Sequence, residues 1–330
     1  MPDPVTAAII QSSPVFLDLA ASVDKAIALT EEAARNGARL ITFGETWLPG
    51  YPAWLDHCSD VALWDYKPSK EVFARLRQNS VVVPGVETKR LAQLAGDHKL
   101  TLILGVNERV DTGPGNGTLY NSLLTFDSEG TLANHHRKLV PTYTERLIWG
   151  NGDGTGLTSV ATAAGRVGGL ICWEHWMPLA RQALHIAGEQ IHIAVWPTVH
   201  EMHQVASRHY AFEARSFVMA AGLIMRVKDL PREFSAPVRM TDKPESFLLR
   251  GGSAIIGPNG QYIVEPCFDR ETTIMAQLDL SAVDQERMTL DVSGHYNRPD
   301  VFNFQVRSSR NSKLQADSSE LPTEGSNLVS

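Results

Sequence analysis

The 330-residue chain carries 30 Lys and Arg against 37 Asp and Glu, a formal net charge of −7, with 43% hydrophobic and 20% charged residues. A chain of this length can bury about three quarters of its unfolded surface, as one large α/β domain or two smaller ones, and its acidic balance argues against binding nucleic acid or anionic lipid. Cys58, Cys172 and Cys267 stand far apart with no Cys-x-x-Cys, the N-terminus shows no signal-peptide pattern and the longest apolar stretch is Phe217 to Met225; a disulfide framework, a zinc ribbon and a membrane span are not indicated, and a reducing cytoplasm is the expected compartment.

Val5 to Ile10 read as a strand, Leu17 to Ala34 as an amphipathic helix closed by Gly37, and Ala38 to Phe43 as a second strand, a βαβ opening. Gly85 to His98 read as a helix and Leu100 to Val106 as a strand. A hairpin follows, with arms Ser122 to Phe126 and Thr131 to His136 around Asp127-Ser128-Glu129-Gly130. The second half repeats this order: strand Gly168 to Ile171, helix Leu179 to Gly188, strand Ile191 to Trp196, helix Met202 to Ala221 and strand Leu223 to Val227. A second hairpin, Ser253 to Gly257 and Gln261 to Val264, encloses Pro258-Asn259-Gly260, whose Asn-Gly pair is expected to supply the positive φ angles of a tight turn. Two halves of similar order predict internal pseudosymmetry. Strands alternating with helices and then pairing predict an α/β fold of two mixed sheets covered by helices, a four-layer αββα sandwich. Residues 1–306 are expected to form this domain, and 307–330, polar and poor in large apolar residues, a disordered tail.

Within this frame, Arg166 to Pro178 read as a buried strand that ends at Cys172 and turns sharply into a helix, with Pro178 in the first turn, where a missing N–H is tolerated. A thiol near a helix N-terminus meets unpaired N–H groups and the positive end of the macrodipole, so its pKa is expected below the free value of about 8.5. Taken alone, a cysteine beside an apolar strand is more often an inert core residue. Glu45 follows a strand through Gly44 and precedes the aromatic, proline-stiffened loop Thr46 to Pro52; Lys138 follows the hairpin arm and His135-His136-Arg137. Taken alone, Glu45 reads as a solvated loop carboxylate and Lys138 as part of a basic surface patch. All three residues leave strands at their carboxyl ends, where ligand sites of open α/β sheets lie, which makes their convergence geometrically reasonable.

Glu45, Lys138 and Cys172, in this order, resemble the Glu-Lys-Cys triad of the nitrilase, or carbon-nitrogen hydrolase, superfamily. Their contexts, Phe43 to Pro52, His136 to Thr142 and Cys172 to Leu179, look like the signature segments of true nitrilases. Val195-Trp196-Pro197 and Asp291 to Asp300 are similar to further nitrilase segments, so the resemblance spans about residues 4 to 304; Gly44 departs from the Pro that many relatives carry there. The resemblance implies a cofactor-free and metal-free enzyme that converts a small-molecule nitrile to a carboxylic acid and ammonia. Cys172 would be the nucleophile, forming a thioimidate that water later attacks. Glu45 would be the general acid and base, a task typically worth about 10²–10⁴-fold, and Lys138 would stabilise developing negative charge. Glu145 would hydrogen-bond Lys138 and help position water, against the simpler reading of a helix-start carboxylate. Trp173, Trp196, Tyr51 and Tyr143, with Pro197, flank the predicted strand ends and are candidates for an apolar pocket wall, though core packing explains any one of them equally well. His295 resembles a family position near the site, or serves a structural hydrogen bond. Dimers that extend into spiral oligomers are implied as well.

Rival readings remain. An amidase would use the same triad on a carboxamide, and cyanide hydrolysis or a reaction halting at the amide depends on intermediate geometry. A metallohydrolase is prompted by His200-Glu201-Met202-His203 and His209, but zincin histidines stand four apart, whereas His200 and His203 are expected to straddle a helix start. Adjacent His135 and His136 on a strand would point to opposite faces. Gly113-Pro114-Gly115-Asn116-Gly117 and Gly150 to Gly156 lack the Lys-Ser/Thr of a phosphate-binding loop. A catalytically silent scaffold that acts by assembly is the remaining class.

Overall fold

The computed structural model describes residues 3–113, 115–236 and 238–307; the expected polar tail beyond residue 307 lies outside the described residues. Its strands are β1 (Val5–Gln11), β2 (Leu40–Phe43), β3 (Val81–Val82), β4 (Thr101–Arg109), β5 (Leu119–Phe126), β6 (Leu132–Arg137), β7 (Val160–Thr162), β8 (Gly165–Ile171), β9 (Ile191–Val195), β10 (Phe217–Ala221), β11 (Ile224–Arg226), β12 (Phe247–Ile256), β13 (Tyr262–Phe268) and β14 (Thr272–Leu278). Its helices are α1 (Leu19–Arg35), α2 (Trp54–His57), α3 (Lys67–Gln78), α4 (Val86–Asp97), α5 (Pro178–Ile186), α6 (Glu201–Ala214), α7 (Val238–Thr241) and α8 (Ser281–Arg287).

The strands form two seven-stranded sheets, one ordered β14-β1-β2-β4-β5-β6 with β3 beside β4, the other β11-β12-β10-β9-β8-β7 with β13 beside β12. Each sheet has a parallel centre, β1-β2-β4 in the first and β8-β9-β10 in the second, flanked by antiparallel partners. The mixed sheets and the pseudosymmetry expected from the sequence are both present. Side-chain alternation builds the layers. Ala7 and Ile9 of β1 join Ile193 and Ala220 in the core between the sheets, whereas Ala8 and Ile10 join Val23 and Ala26 of α1 in an outer core. On the second sheet, Leu184 of α5 and Ala206 and Tyr210 of α6 form the corresponding cover. Each fully buried Ile or Leu contributes about 1.5–3 kcal/mol, so strands buried on both faces are what hold the carboxyl ends of the strands in place.

Two expectations need correction. The helix expected to run to Ala221 stops at Ala214, where Arg215 turns left-handed (φ 51, ψ 47), and Phe217–Ala221 form the buried strand β10. A continuous apolar run has no period that separates a buried parallel strand from a buried helix, and no Gly or Pro marks the break. In the second hairpin only Gly260 takes a positive φ, 76°; the Asn259 side chain instead accepts from the Gln261 amide at 3.0 Å. Unanticipated elements include α3, which starts with Pro near its N-terminus, and β14, which pairs antiparallel with β1. Among the described residues no helix is long and apolar enough to cross a membrane.

Candidate active site

β2, β6 and β8 deliver Glu45, Lys138 and Cys172 just past their carboxyl ends. The turn holding Glu45 lies so close to β4 that a Cβ on Gly105 would sit 2.3 Å from the Gly44 carbonyl oxygen and 2.5 Å from the Thr46 amide nitrogen. Glycine is therefore required at 105 for the approach. The loop beyond is pinned by Trp47 Nε1 donating to the Ser12 carbonyl at 2.9 Å and by Asn107 Nδ2 donating to the Gly50 carbonyl at 2.9 Å. Lys138 continues the β5–β6 pairing, its amide donating to the Asn121 carbonyl at 2.7 Å. Cys172 opens a 3₁₀ turn, Cys172–Trp176, with a left-handed φ of 52°. That conformation costs a residue with a Cβ on the order of 1–3 kcal/mol and persists only where surroundings enforce it.

Glu174 is one such enforcer. Its carboxylate accepts from the Ile171 amide at 2.7 Å, the Leu139 amide at 2.8 Å and His136 Nε2 at 2.9 Å. One buried side chain thus ties the segment after β6, which bears Lys138, to the segment after β8, which bears Cys172. Burial alone would push its carboxyl up, but His136 and the two amides hold it below the ordinary carboxylate value.

Lys138 Nζ donates to Glu45 Oε1 at 3.0 Å and to both oxygens of Glu145 at 3.0 and 2.7 Å. Asn121 Nδ2 adds a bond to Glu45 Oε1 at 2.7 Å, and the Tyr51 hydroxyl and Thr142 amide bond Glu145 at 2.8 and 2.7 Å. Glu45 Oε2 is buried and has no partner among the described residues. With Glu45 at 0%, Lys138 at 1%, Glu145 at 3% and Cys172 at 4% exposure, neither a solvated loop carboxylate nor a basic surface patch describes them. Burial, reinforced by Glu145, pushes the Glu45 carboxyl up to about 7 against the attraction of Lys138. Burial would lower Lys138, but Glu45, Cys172 and Glu145 outweigh it and keep the ammonium charged. The thiol departs from the sequence expectation: burial, then Glu45, push Cys172 well above the ordinary thiol value, and Lys138 and the Trp173 amide pull it down without winning. Helix α5 begins only at Pro178, so its dipole does not set the balance.

Cys172, Glu145 and Tyr51 line a cavity of about 1020 Å³ whose walls include Tyr143, Trp173, Trp176, Met177, Pro197 and Leu249. Lys138 is joined to this cavity wall through its bonds to Glu145, and Glu45 through its bond to Lys138. Trp196 is placed elsewhere. Its ring is fully buried and stacked between His175 and His203, with centroids 4.6 and 4.3 Å away, because the strand alternation turns residue 196 into the second sheet's cover while Pro197 faces the cavity. His295 is exposed, lies against Tyr296 and is not part of the cavity wall. His200 occupies the N-cap position of α6 without a side-chain capping bond and His203 lies within the helix; both reach the cavity, and His203 Nδ1 is committed to the Thr198 carbonyl at 2.8 Å. Among the described residues no group of three or more His, Cys, Asp or Glu side chains is arranged to hold a metal ion. Sequence reasoning missed Asn121 and Glu174. Their signal was present: an amide and a carboxylate inside or against apolar strand ends, each buried and so in need of partners.

The family model described as carbon-nitrogen hydrolase matches residues 6–288. An aliphatic nitrilase of Sinorhizobium fredii is 39% identical over 300 residues, covering 91% of this chain and 94% of that protein. A bifunctional nitrilase/nitrile hydratase NIT4B of Nicotiana tabacum is 38% identical over 307 residues, covering 92% of this chain and 86% of its own. Among solved structures, Saccharomyces cerevisiae Nit3, a member of branch 10 of the nitrilase superfamily, superposes with a TM-score of 0.67 at 19% identity over 90% of this chain and 98% of that one, a likeness of fold.

Proposed function

The chain belongs to the carbon-nitrogen hydrolase family, in its nitrilase branch, and on that premise we propose that it hydrolyses an organic nitrile to a carboxylic acid and ammonia through covalent intermediates on Cys172. The observation that carries this reading is a thiol lining a largely apolar cavity and feeling the charges of Glu45, whose second carboxylate oxygen has no partner among the described residues, and of Lys138, an ammonium held by two carboxylates.

Because its surroundings keep the thiol protonated, the proton must leave as the S–C bond forms. Glu45 takes it, and sulfur attacks the nitrile carbon. The nitrogen accepts a proton from Glu45, giving a thioimidate, while Lys138 faces the negative charge that develops there. Glu45 deprotonates a water that adds to the thioimidate carbon. The tetrahedral intermediate collapses with ammonia as leaving group, protonated by Glu45, and leaves a thioester. A second water, activated in the same way, releases the carboxylic acid and restores the thiol, so two waters are consumed per nitrile. Glu145 fixes the Lys138 ammonium and, with Tyr51, the water path. A carboxyl near 7 suits a group that both takes and returns protons at neutral pH. Pocket walls from Trp173, Tyr143 and Pro197 would receive the organic substituent.

Assay of nitriles and matching amides for ammonia, with the parent and Cys172→Ala after metal chelation, tests the reading. Turnover of nitriles by the parent, lost in Cys172→Ala and untouched by chelation, is expected; turnover that survives in Cys172→Ala while chelation abolishes it overturns the thiol mechanism. Amide measured alongside acid separates complete hydrolysis from release at the tetrahedral stage, a branch to which the relative named nitrilase/nitrile hydratase draws attention.

Residues 1–306 would act as one catalytic unit, since Glu45 and Lys138 follow strands of one sheet and Cys172 a strand of the other. Self-association into dimers and spiral oligomers is supported by exposed Leu179 and Ile186 on α5 and Met202, Val205 and Phe212 on α6, an apolar outer face. Light scattering behind size exclusion should return a dimer or larger; a monomer at micromolar concentration would contradict it. A cytoplasmic setting is supported by three cysteines that are all unpaired.

A further inference from the structure

Behind Cys172 runs a buried chain of side chains for which the hydrolysis above has no use. His175, in the turn that Cys172 opens, is 2% exposed and places Nδ1 2.6 Å from the Cys172 carbonyl oxygen. Its Nε2 lies 3.0 Å from Nε2 of His192 on β9, and His192 Nδ1 lies 2.9 Å from Glu189 Oε2. Glu189 Oε1 accepts from the Tyr210 hydroxyl of α6. Room for the carboxylate is made on β8, where a Cβ on Gly168 would come within 2.3 Å of Glu189 Oε2. The rings are clamped as well: His192 stacks on Tyr210 at 3.7 Å and His175 on Trp196 at 4.6 Å. Arg181 Nη1 donates to the His175 carbonyl at 3.0 Å, and His185, bonded to Glu213, lies against Tyr210 at 4.9 Å.

Proton counting shows which way this chain is oriented. A carbonyl and an ionised carboxylate only accept, so Nδ1 of both histidines must donate, and the Nε2 to Nε2 contact needs one further proton. The two rings hold three protons, one more than two neutral imidazoles. Burial alone would push Glu189 up, yet His192 and His185 hold it at about 2, so its carboxylate supplies the matching charge. Burial and the neighbouring His192 keep His175 well below the ordinary imidazole value, so His175 stays a neutral ring. His175 is thereby fixed as the tautomer that presents Nδ1–H to the nucleophile's own carbonyl.

That carbonyl matters because Cys172 is left-handed. Its peptide plane sets both the direction of the thiol and the position of the Trp173 amide that acts on it. We propose that His175, held by His192 and Glu189, is a positioning residue for the nitrile hydrolysis proposed above, its Nδ1–H locking the Cys172 carbonyl and so aiming the thiol into the cavity. This role rests on Cys172 being the nucleophile.

His175→Leu and His175→Asn test it together, since the asparagine Nδ2 occupies the place of Nδ1 and keeps the donor while losing the bond to His192. In the purified full-length chain, His175→Leu should lower kcat for a nitrile about 10²-fold with KM within about threefold, as expected for a misaimed nucleophile. Alkylation of Cys172 by iodoacetamide should slow in parallel, and His175→Asn should return kcat to within about tenfold of the parent. A folded His175→Leu with kcat within about twofold of the parent overturns the proposal. So does a folded His175→Asn that falls more than about tenfold below the parent, and this second criterion decides alone if the leucine variant does not fold. Turnover surviving in Cys172→Ala would remove the reading on which the role rests; a dead Cys172→Ala beside an unaffected His175→Leu would remove only the positioning role.

Discussion

Glu45 shares Lys138 with Glu145 in a water-poor site, and the result is a carboxyl pushed up to about 7 by burial. If its ionised form takes the thiol proton, kcat/KM must rise with pH through a limb centred near 7, because that profile reports the free enzyme. The raised Lys138 adds no falling limb near neutrality. Initial rates of ammonia release from about pH 5 to 9 should show the limb; Glu45→Gln should lower kcat/KM by about 10²–10⁴-fold and abolish it. A limb that persists unchanged in Glu45→Gln would assign the titration to another group. The positions of Glu45, Lys138 and Cys172 were legible because each directly follows a run that reads as a strand. The thiol's electrostatics were not, since they depend on Glu45, Glu145 and Lys138, which reach it from far along the chain.

Elements meet at the site through few side chains, and Glu174 is the firmest tie between the ends of β6 and β8. Removing it leaves two amides and an imidazole buried without their acceptor. Glu174→Ala should therefore cost about 3–5 kcal/mol in urea unfolding, the range for breaking a buried pair by one partner. A loss below about 1 kcal/mol would show that the two strand ends hold without it. Gly105→Ala should lower the melting temperature and activity together, because the added Cβ meets main-chain atoms of the Glu45 turn that have nowhere to go; unchanged values for both would contradict that packing. Helix α1 was readable from its 3.6-residue pattern and its close at Gly37. Strand β10 was not, because Phe217–Ala221 are buried on all sides and Arg215 takes the left-handed turn without a glycine.

At the scale of the whole molecule the chain closes on itself. Strand β14 covers the edge of β1 through seven registered pairs, from Val5–Leu278 to Gln11–Thr272, and buries Ile274 and Leu278 in the core between the sheets. Truncation after residue 271 should expose that edge and give an aggregating chain without near-UV circular dichroism; a soluble truncated chain with parental kcat would contradict it. The layered α/β order and its two similar halves were legible from alternating strands and helices. The pairing of β14 with β1 was not, because Thr272–Leu278 alternate only weakly and nothing local records a partner more than 250 residues away. The proposed chemistry requires one sulfur that follows a strand of the second sheet to meet a carboxylate and an ammonium that follow strands of the first. Rapid acid quenching of the enzyme with a nitrile, followed by mass spectrometry of the Cys172 peptide, tests this most directly. The expected result is a thioimidate or thioester adduct on Cys172 that forms and decays at rates consistent with kcat; turnover with an unmodified Cys172 peptide, and with Cys172→Ala still active, would contradict it.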